Sequence, residues 1–125
     1  MAKGQSLILD GGAVRMTNAD RLQEMLDENG FLAEAKAWNR DMAEEIAAAL
    51  GIAPLEPDHF AVIDYLREHY LTNGTLPWTS HLCHKLALDK RCVHRLFGGP
   101  IEAWKVAGLP DPGEEARTYM ENEEP

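Results

Sequence analysis

The run from Pro57 to Gly74, PDHFAVIDYLREHYLTNG, constrains this chain more than any other stretch. Proline suits the first turn of a helix, where its missing N–H has no partner to lose. Phe60, Ile63, Leu66 (or the stem of Arg67) and Tyr70 then recur at steps of three and four, and Asn73-Gly74 supplies a stop. The spacing predicts a helix over 58–72. Its apolar stripe has to be covered, and the rest of the chain offers short helices to cover it.

Asn39 caps a predicted helix over 40–50, with Ala43, Ile46, Ala47 and Leu50 inward and Gly51 beyond it. Pro77 opens a helix over 78–87, Asp89 caps another over 90–97, and Gly98-Gly99 breaks the chain. Pro100 starts a last short helix that ends near Ala107, closed by Gly108-Leu109-Pro110. Near the start, Thr17-Asn18 precedes a short helix over 20–27, with Leu22, Met25 and Leu26 on one face and Asn29-Gly30 after it. Leu7-Ile8-Leu9 and Ala13-Val14-Arg15-Met16 flank the turn Asp10-Gly11-Gly12, which reads as a β-hairpin over about 6–16. The expected fold is mainly α: a compact helical bundle with a helix-turn-helix-like pair and a small N-terminal β-hairpin. One domain spans 1–110, with its helical core at 39–108. Residues 111–125 carry six acids against one arginine, so they read as an acidic, flexible tail.

Composition narrows the function classes. The 125 residues suffice for a modest core without staples. No apolar run approaches a membrane span, and MAKGQSLILDGG does not read as a signal peptide, so the cytoplasm is the expected compartment. In that reducing setting Cys83 and Cys92 are expected to be free thiols. Trp38, Trp78 and Trp104 are expected to be packing anchors. The formal charge of −9 opposes general nucleic-acid binding. That charge is segregated: seven acids and one base, Arg67, lie between 41 and 74, but five bases and two acids lie between 81 and 105.

The densest chemistry is HLCHKLALDKRCVH, residues 81–94. Thiols and imidazoles are zinc's preferred ligands, but eight residues separate Cys83 from Cys92 and structural zinc spacing is shorter, so no metal site is assigned. Packing of Leu82, Cys83, Leu86, Val93, Leu96 and Phe97, with the histidines at the rim, is the simpler account. A reactive thiol is a second reading, with Cys92 ahead of Cys83: Cys92 follows Lys90-Arg91 at a helix start, and both features favour thiolate. A third is a DNA-binding helix-turn-helix, whose second helix would present Lys90, Arg91, His94 and Arg95 to phosphates. Phosphate-loop, nucleophile-triad and His-Glu-x-x-His patterns are not found, and nothing in the residues alone demands an enzyme or a cofactor.

Gly30-Phe31-Leu32, Trp38, Pro57-Asp58-His59, VIDYLREHYLTNG over 62–74, Pro77, Leu96-Phe97 before Gly99-Pro100, and Ala107-Gly108-Leu109-Pro110 with Pro112 occur in an order that resembles the DsrC/TusE sulfur-relay family. The resemblance covers about 28–112 and implies a helical bundle with an N-terminal hairpin. It also implies a cytoplasmic sulfur carrier, whose arm cysteine takes sulfur as a persulfide and delivers it to a sulfite reductase or a relay toward tRNA thiolation. Here the resemblance sets Trp104 where two-cysteine members carry one cysteine and Glu115 near the carrier position. Ser80 stands where members show an arginine. The expectation is a protein that keeps the frame and the docking surface (Lys85, Lys90, Arg91, Arg95, Trp104 and Lys105), with no sulfur on its arm. The competing expectations are a carrier working through Cys92 or Cys83, and the DNA-binding regulator.

Overall fold

The computed structural model describes residues 18–75 and 77–122, with side chains from Arg21 onward. Seven helices follow one another among the described residues: α1 Asn18–Met25, α2 Arg40–Ala49, α3 Pro57–Asn73, α4 Thr79–Lys85, α5 Cys92–Phe97, α6 Pro100–Val106 and α7 Glu114–Glu121. A single 3-10 turn, Ala35–Ala37, precedes α2. The described residues hold no strand, only the isolated antiparallel bridge Leu26–Leu32 after α1. The predicted hairpin at 6–16 lies outside the described residues.

The start and stop signals act as local chemistry says they should. Asn39 caps α2 by accepting a hydrogen bond from the Met42 N–H at 2.9 Å. Pro57 is the first residue of α3, and Gly74 ends it with a left-handed φ of 69°. The buried side of α3 is His59, Val62, Ile63 and Leu66. Phe60 and Tyr70 are half-buried at its edges, and the Arg40 guanidinium lies 4.3 Å over the Phe60 ring. Leu50, expected inward, falls just past the end of α2 and is exposed. His59 joins two helices: its Nδ1 accepts from the Glu56 N–H at 3.0 Å, which leaves Nε2–H to donate to the Leu96 carbonyl at 2.9 Å.

Helix α6 is the centre of the packing, touching α2, α3, α5 and α7. Trp104 on α6 is almost fully buried beside Tyr70, edge to face at 5.4 Å. Trp78 departs from its expected role, being 64% exposed and set edge-on against Tyr119 of α7.

Two expectations are corrected here. The first is the flexible tail, because residues 114–121 form α7 and bury Met120 at 1% exposure. Acidic composition argued for disorder, but one long apolar side chain and a folded turn suffice to seat a helix of eight residues. The turn is built by Asp111. Its Oδ1 accepts from the Gly113 N–H at 2.8 Å and from Arg117 Nε at 3.0 Å, and its Oδ2 accepts from Asn29 Nδ2 at 3.2 Å. The second is the state of the cysteines. Cys83 and Cys92 are bonded to each other as a disulfide. The expectation of free thiols rested on compartment, whereas a tight turn between α4 and α5 sets their Cα atoms 5.8 Å apart, within bridging range.

Glycine is required at one place above all. At Gly108, φ is +71° and a Cβ would lie 2.0 Å from Trp38 Cδ1. Gly51 has a similar φ of +78° with nothing within 4 Å of the added atom. Gly108→Ala should therefore cost about 2–4 kcal/mol, combining left-handed strain with displacement of an indole. Gly51→Ala should cost about 1 kcal/mol, from strain alone. Urea unfolding of the two variants measures the difference, and equal midpoints would contradict the close approach.

Acid should release α7 before the body. The Gly113 N–H, then Asn29 and Arg117, hold the Asp111 carboxyl below the usual aspartate range. A depressed folded pKa means this tie is fully present above the unfolded value of about 3.9 and is lost as pH falls through the folded value. Hydrogen exchange, corrected for intrinsic rates, should rise at 114–121 as pH falls below about 3.9, while 57–73 stays protected. Asp111→Asn should abolish that selective response.

Candidate partner-docking site

The segment 104–113 comes off α6 and is tied down along its whole length. Trp104 Nε1–H donates to the Pro110 carbonyl at 2.7 Å, and Trp38 Nε1–H donates to the Val106 carbonyl at 3.0 Å. Arg67 reaches across from α3, donating through Nη1 to the Ala107 carbonyl at 2.9 Å and through Nη2 to the Ala35 carbonyl at 3.0 Å. Its guanidinium lies 4.3 Å over the Trp38 ring. Burial pulls the Arg67 pKa below the usual arginine value, opposed by nearby Asp64, and a guanidinium remains charged through such a shift. Leu109 is wholly buried. The segment therefore stays closed against the body.

The residues expected to form one basic contact face separate into three groups. Lys85, Lys90 and Arg91 are exposed around the α4–α5 turn. Arg95 is bound to Asp89, whose Oδ1 accepts from Nε at 2.9 Å and Nη2 at 2.6 Å. That contact depresses the Asp89 pKa and raises that of Arg95. Both side chains are about half exposed, which limits what the pair adds to stability. Lys105 is half-buried, with Nζ 5.3 Å from the Phe31 ring. Trp104, included in the expected face, is corrected: at 1% exposure its indole packs inside the fold and offers no surface to a partner.

The reactive-thiol reading of Cys92 and Cys83 is likewise corrected. Both are 0% exposed and share their sulfur bond, so neither presents a thiolate. Helix α5, the expected second helix of the DNA-binding pair, has only six residues, of which Cys92, Val93, Leu96 and Phe97 are buried. Its polar side is reduced to His94 and the paired Arg95. His81 and His84 stand exposed on α4, and the described residues contain no group of three or more ligand-type side chains suited to a metal. No described helix is long and apolar enough to cross a membrane.

Glu115 is exposed in the first turn of α7. Met120, near the far end of that helix, helps line a small, mostly apolar pocket with Leu66, Pro77, Thr79, Val93, Pro100, Ala103 and Trp104. Sequence reasoning missed the Arg67 bridge, although a lone cation in the acidic 41–74 stretch was a signal for it. Within the turn joining α4 to α5, Ala87 has φ +59°, which costs a side-chain-bearing residue about 1–2 kcal/mol.

Known proteins share this architecture. The chain is 36% identical over 89 residues to the dissimilatory-type sulfite reductase subunit gamma of Nitratidesulfovibrio vulgaris, covering 70% of this chain and 85% of that one. It is 37% identical over 95 residues to the sulfurtransferase TusE of Salmonella choleraesuis, covering 69% and 86%. Among solved structures, that of dissimilatory sulfite reductase I (DsrI) aligns with a TM-score of 0.65 at 32% identity, over 71% of this chain and 88% of that one. The oxidized gamma-subunit of the dissimilatory sulfite reductase (DsrC) from Archaeoglobus fulgidus aligns at 0.60 and 32%, over 71% and 89%. The family model described as DsrC like protein matches residues 18–114, from α1 to the first residue of α7, and the chain belongs to that family.

Proposed function

We propose that this DsrC-like chain works as a docking or regulatory partner in a sulfur-relay or dissimilatory sulfite-reductase system and carries no persulfide on its arm. The observation that supports the reading is Trp104. By the family resemblance it replaces an arm cysteine, and its buried ring and its bond to the Pro110 carbonyl hold the arm against the body. Glu115, at the other carrier position, offers a carboxylate, and a carboxylate forms no sulfur–sulfur bond.

A persulfide forms by thiolate attack, and the chain's two cysteines, Cys83 and Cys92, are tied up in one buried disulfide. This weighs against the alternative of a carrier using Cys92 or Cys83. Lys85, Lys90 and Arg91 make the exposed cationic corner of an otherwise acidic molecule, which suits an acidic patch on a partner. The reading sets the chain in the cytoplasm.

Two measurements test it. Incubation with a cysteine desulfurase and cysteine should leave the intact mass unchanged. A gain of about 32 Da, one sulfur atom, that disappears in Cys92→Ser or Cys83→Ser would overturn the non-carrier reading. The purified chain should also compete with a TusE-type carrier for that carrier's partner, and Lys90→Glu with Arg91→Glu should weaken competition about tenfold, near 1.4 kcal/mol. Competition that is unaffected by the charge reversal would move the docking face elsewhere.

A further inference from the structure

The disulfide stands out because the docking reading uses it only to weigh against a carrier thiol and gives the bond itself no role. It joins the middle of α4 to the first residue of α5 across nine positions, and both residues are 0% exposed. The two helices it joins are held very differently. Helix α5 buries four of its six residues: Cys92, Val93, Leu96 and Phe97. Helix α4 has seven residues and buries two, Leu82 and Cys83. Its N-cap residue, Trp78, makes no side-chain cap and is 64% exposed. The turn after α4 runs through Ala87 at a strained φ of +59°. The Leu88 N–H closes that turn on the Cys83 carbonyl at 2.9 Å.

We infer that Cys83–Cys92 is a thiol–disulfide exchange site for a dithiol reductant, and that the bond latches α4 to the body. The reductant's thiolate attacks the Cys83 sulfur, the sulfur–sulfur bond breaks, and Cys92 leaves as a thiolate that takes up a proton. The reductant's second thiol then displaces Cys83 from the mixed disulfide. Two electrons and two protons pass to the protein, and the reductant departs as its own cyclic disulfide.

Attack needs the sulfur uncovered, and local opening of a thinly buried element provides that. Helix α4 is the thinly buried side, so Cys83 is the sulfur reached first.

Release of α4 has a consequence one helix away. Trp78 stacks on Tyr119 of α7 at 5.5 Å, and Pro77 forms part of the wall around Met120. The N-terminal end of the α4 segment therefore connects the bond to α7. Reduction loosens α4 and α7 together and leaves α3 in place. The oxidised chain is the closed form and the reduced chain the open one. This inference goes beyond the docking reading and does not rest on it.

The experiment is hydrogen exchange with mass detection on the full chain, before and after dithiothreitol under native conditions. Reduction should add about 2 Da and speed exchange at least tenfold at 78–88 and 114–121, with less than a twofold change at 57–73. A chain carrying Cys83→Ala with Cys92→Ala should show the open pattern without reductant and ignore dithiothreitol. Several results would overturn the inference: free thiols in the purified protein, a native bond that dithiothreitol never reduces, or unchanged exchange at α4. Loss of protection throughout the chain, in the reduced protein or the double variant, would make the bond a general staple and overturn it as well.

Discussion

The rest of this structure depends on a cation placed among carbonyl groups. Arg67 leaves α3 and stacks over Trp38, and its fork closes on the carbonyls of Ala35 and Ala107. Three stretches of chain that are far apart in sequence meet at that one side chain. A lysine could not substitute, because a single ammonium supplies neither the flat face for the indole nor the rigid fork for two divergent acceptors. The hydrogen bonds keep the charge solvated by protein dipoles, and this makes its partial burial tolerable. Around this bridge the backbone of 104–110 is forced close to Trp38, and only glycine fits at 108.

Once 104–110 is fixed, the C-terminal end follows. Leu109 enters the core, Asp111 folds the chain back on itself, and α7 is delivered to the pocket that Met120 helps line. Few interactions hold α7: one buried methionine, one aspartate turn and one exposed aromatic pair. The family match ends at residue 114, the first residue of this helix. The helix's hold on the body is local, through Asp111 at one end and Trp78 at the other.

Most of the helical frame was legible because punctuation and periodicity agreed. Pro57 and Gly74, Asn39, Pro100 and Gly108 each mark a boundary that local backbone chemistry enforces. The less legible features were set by long-range contacts. Cysteines nine positions apart meet because the α4–α5 turn is tight, which no spacing rule for metal ligands or compartment argument encodes. The tail read as disordered because composition averages over residues, while α7 is seated by Met120 and Asp111 individually. Trp78 and Trp104 are the same residue type and were given the same role, yet one is mostly exposed and the other buried. Only the packing of α6 against α3 distinguishes them.

The energetics of the arm bear on the docking role proposed above. Freeing Trp104 exposes a large apolar side chain, worth roughly 3 kcal/mol. It also breaks the bonds from Trp104 to Pro110 and from Arg67 to Ala107, at about 1 kcal/mol each. A total near 5 kcal/mol leaves the arm extended in roughly one molecule in several thousand. A carrier that must swing its arm at every turnover would meet that barrier in each cycle. A protein that presents a fixed surface with the arm closed never meets it. The same interactions that close the arm therefore fit the docking role proposed above, and a partner that did extend it would have to supply the difference from its own contacts.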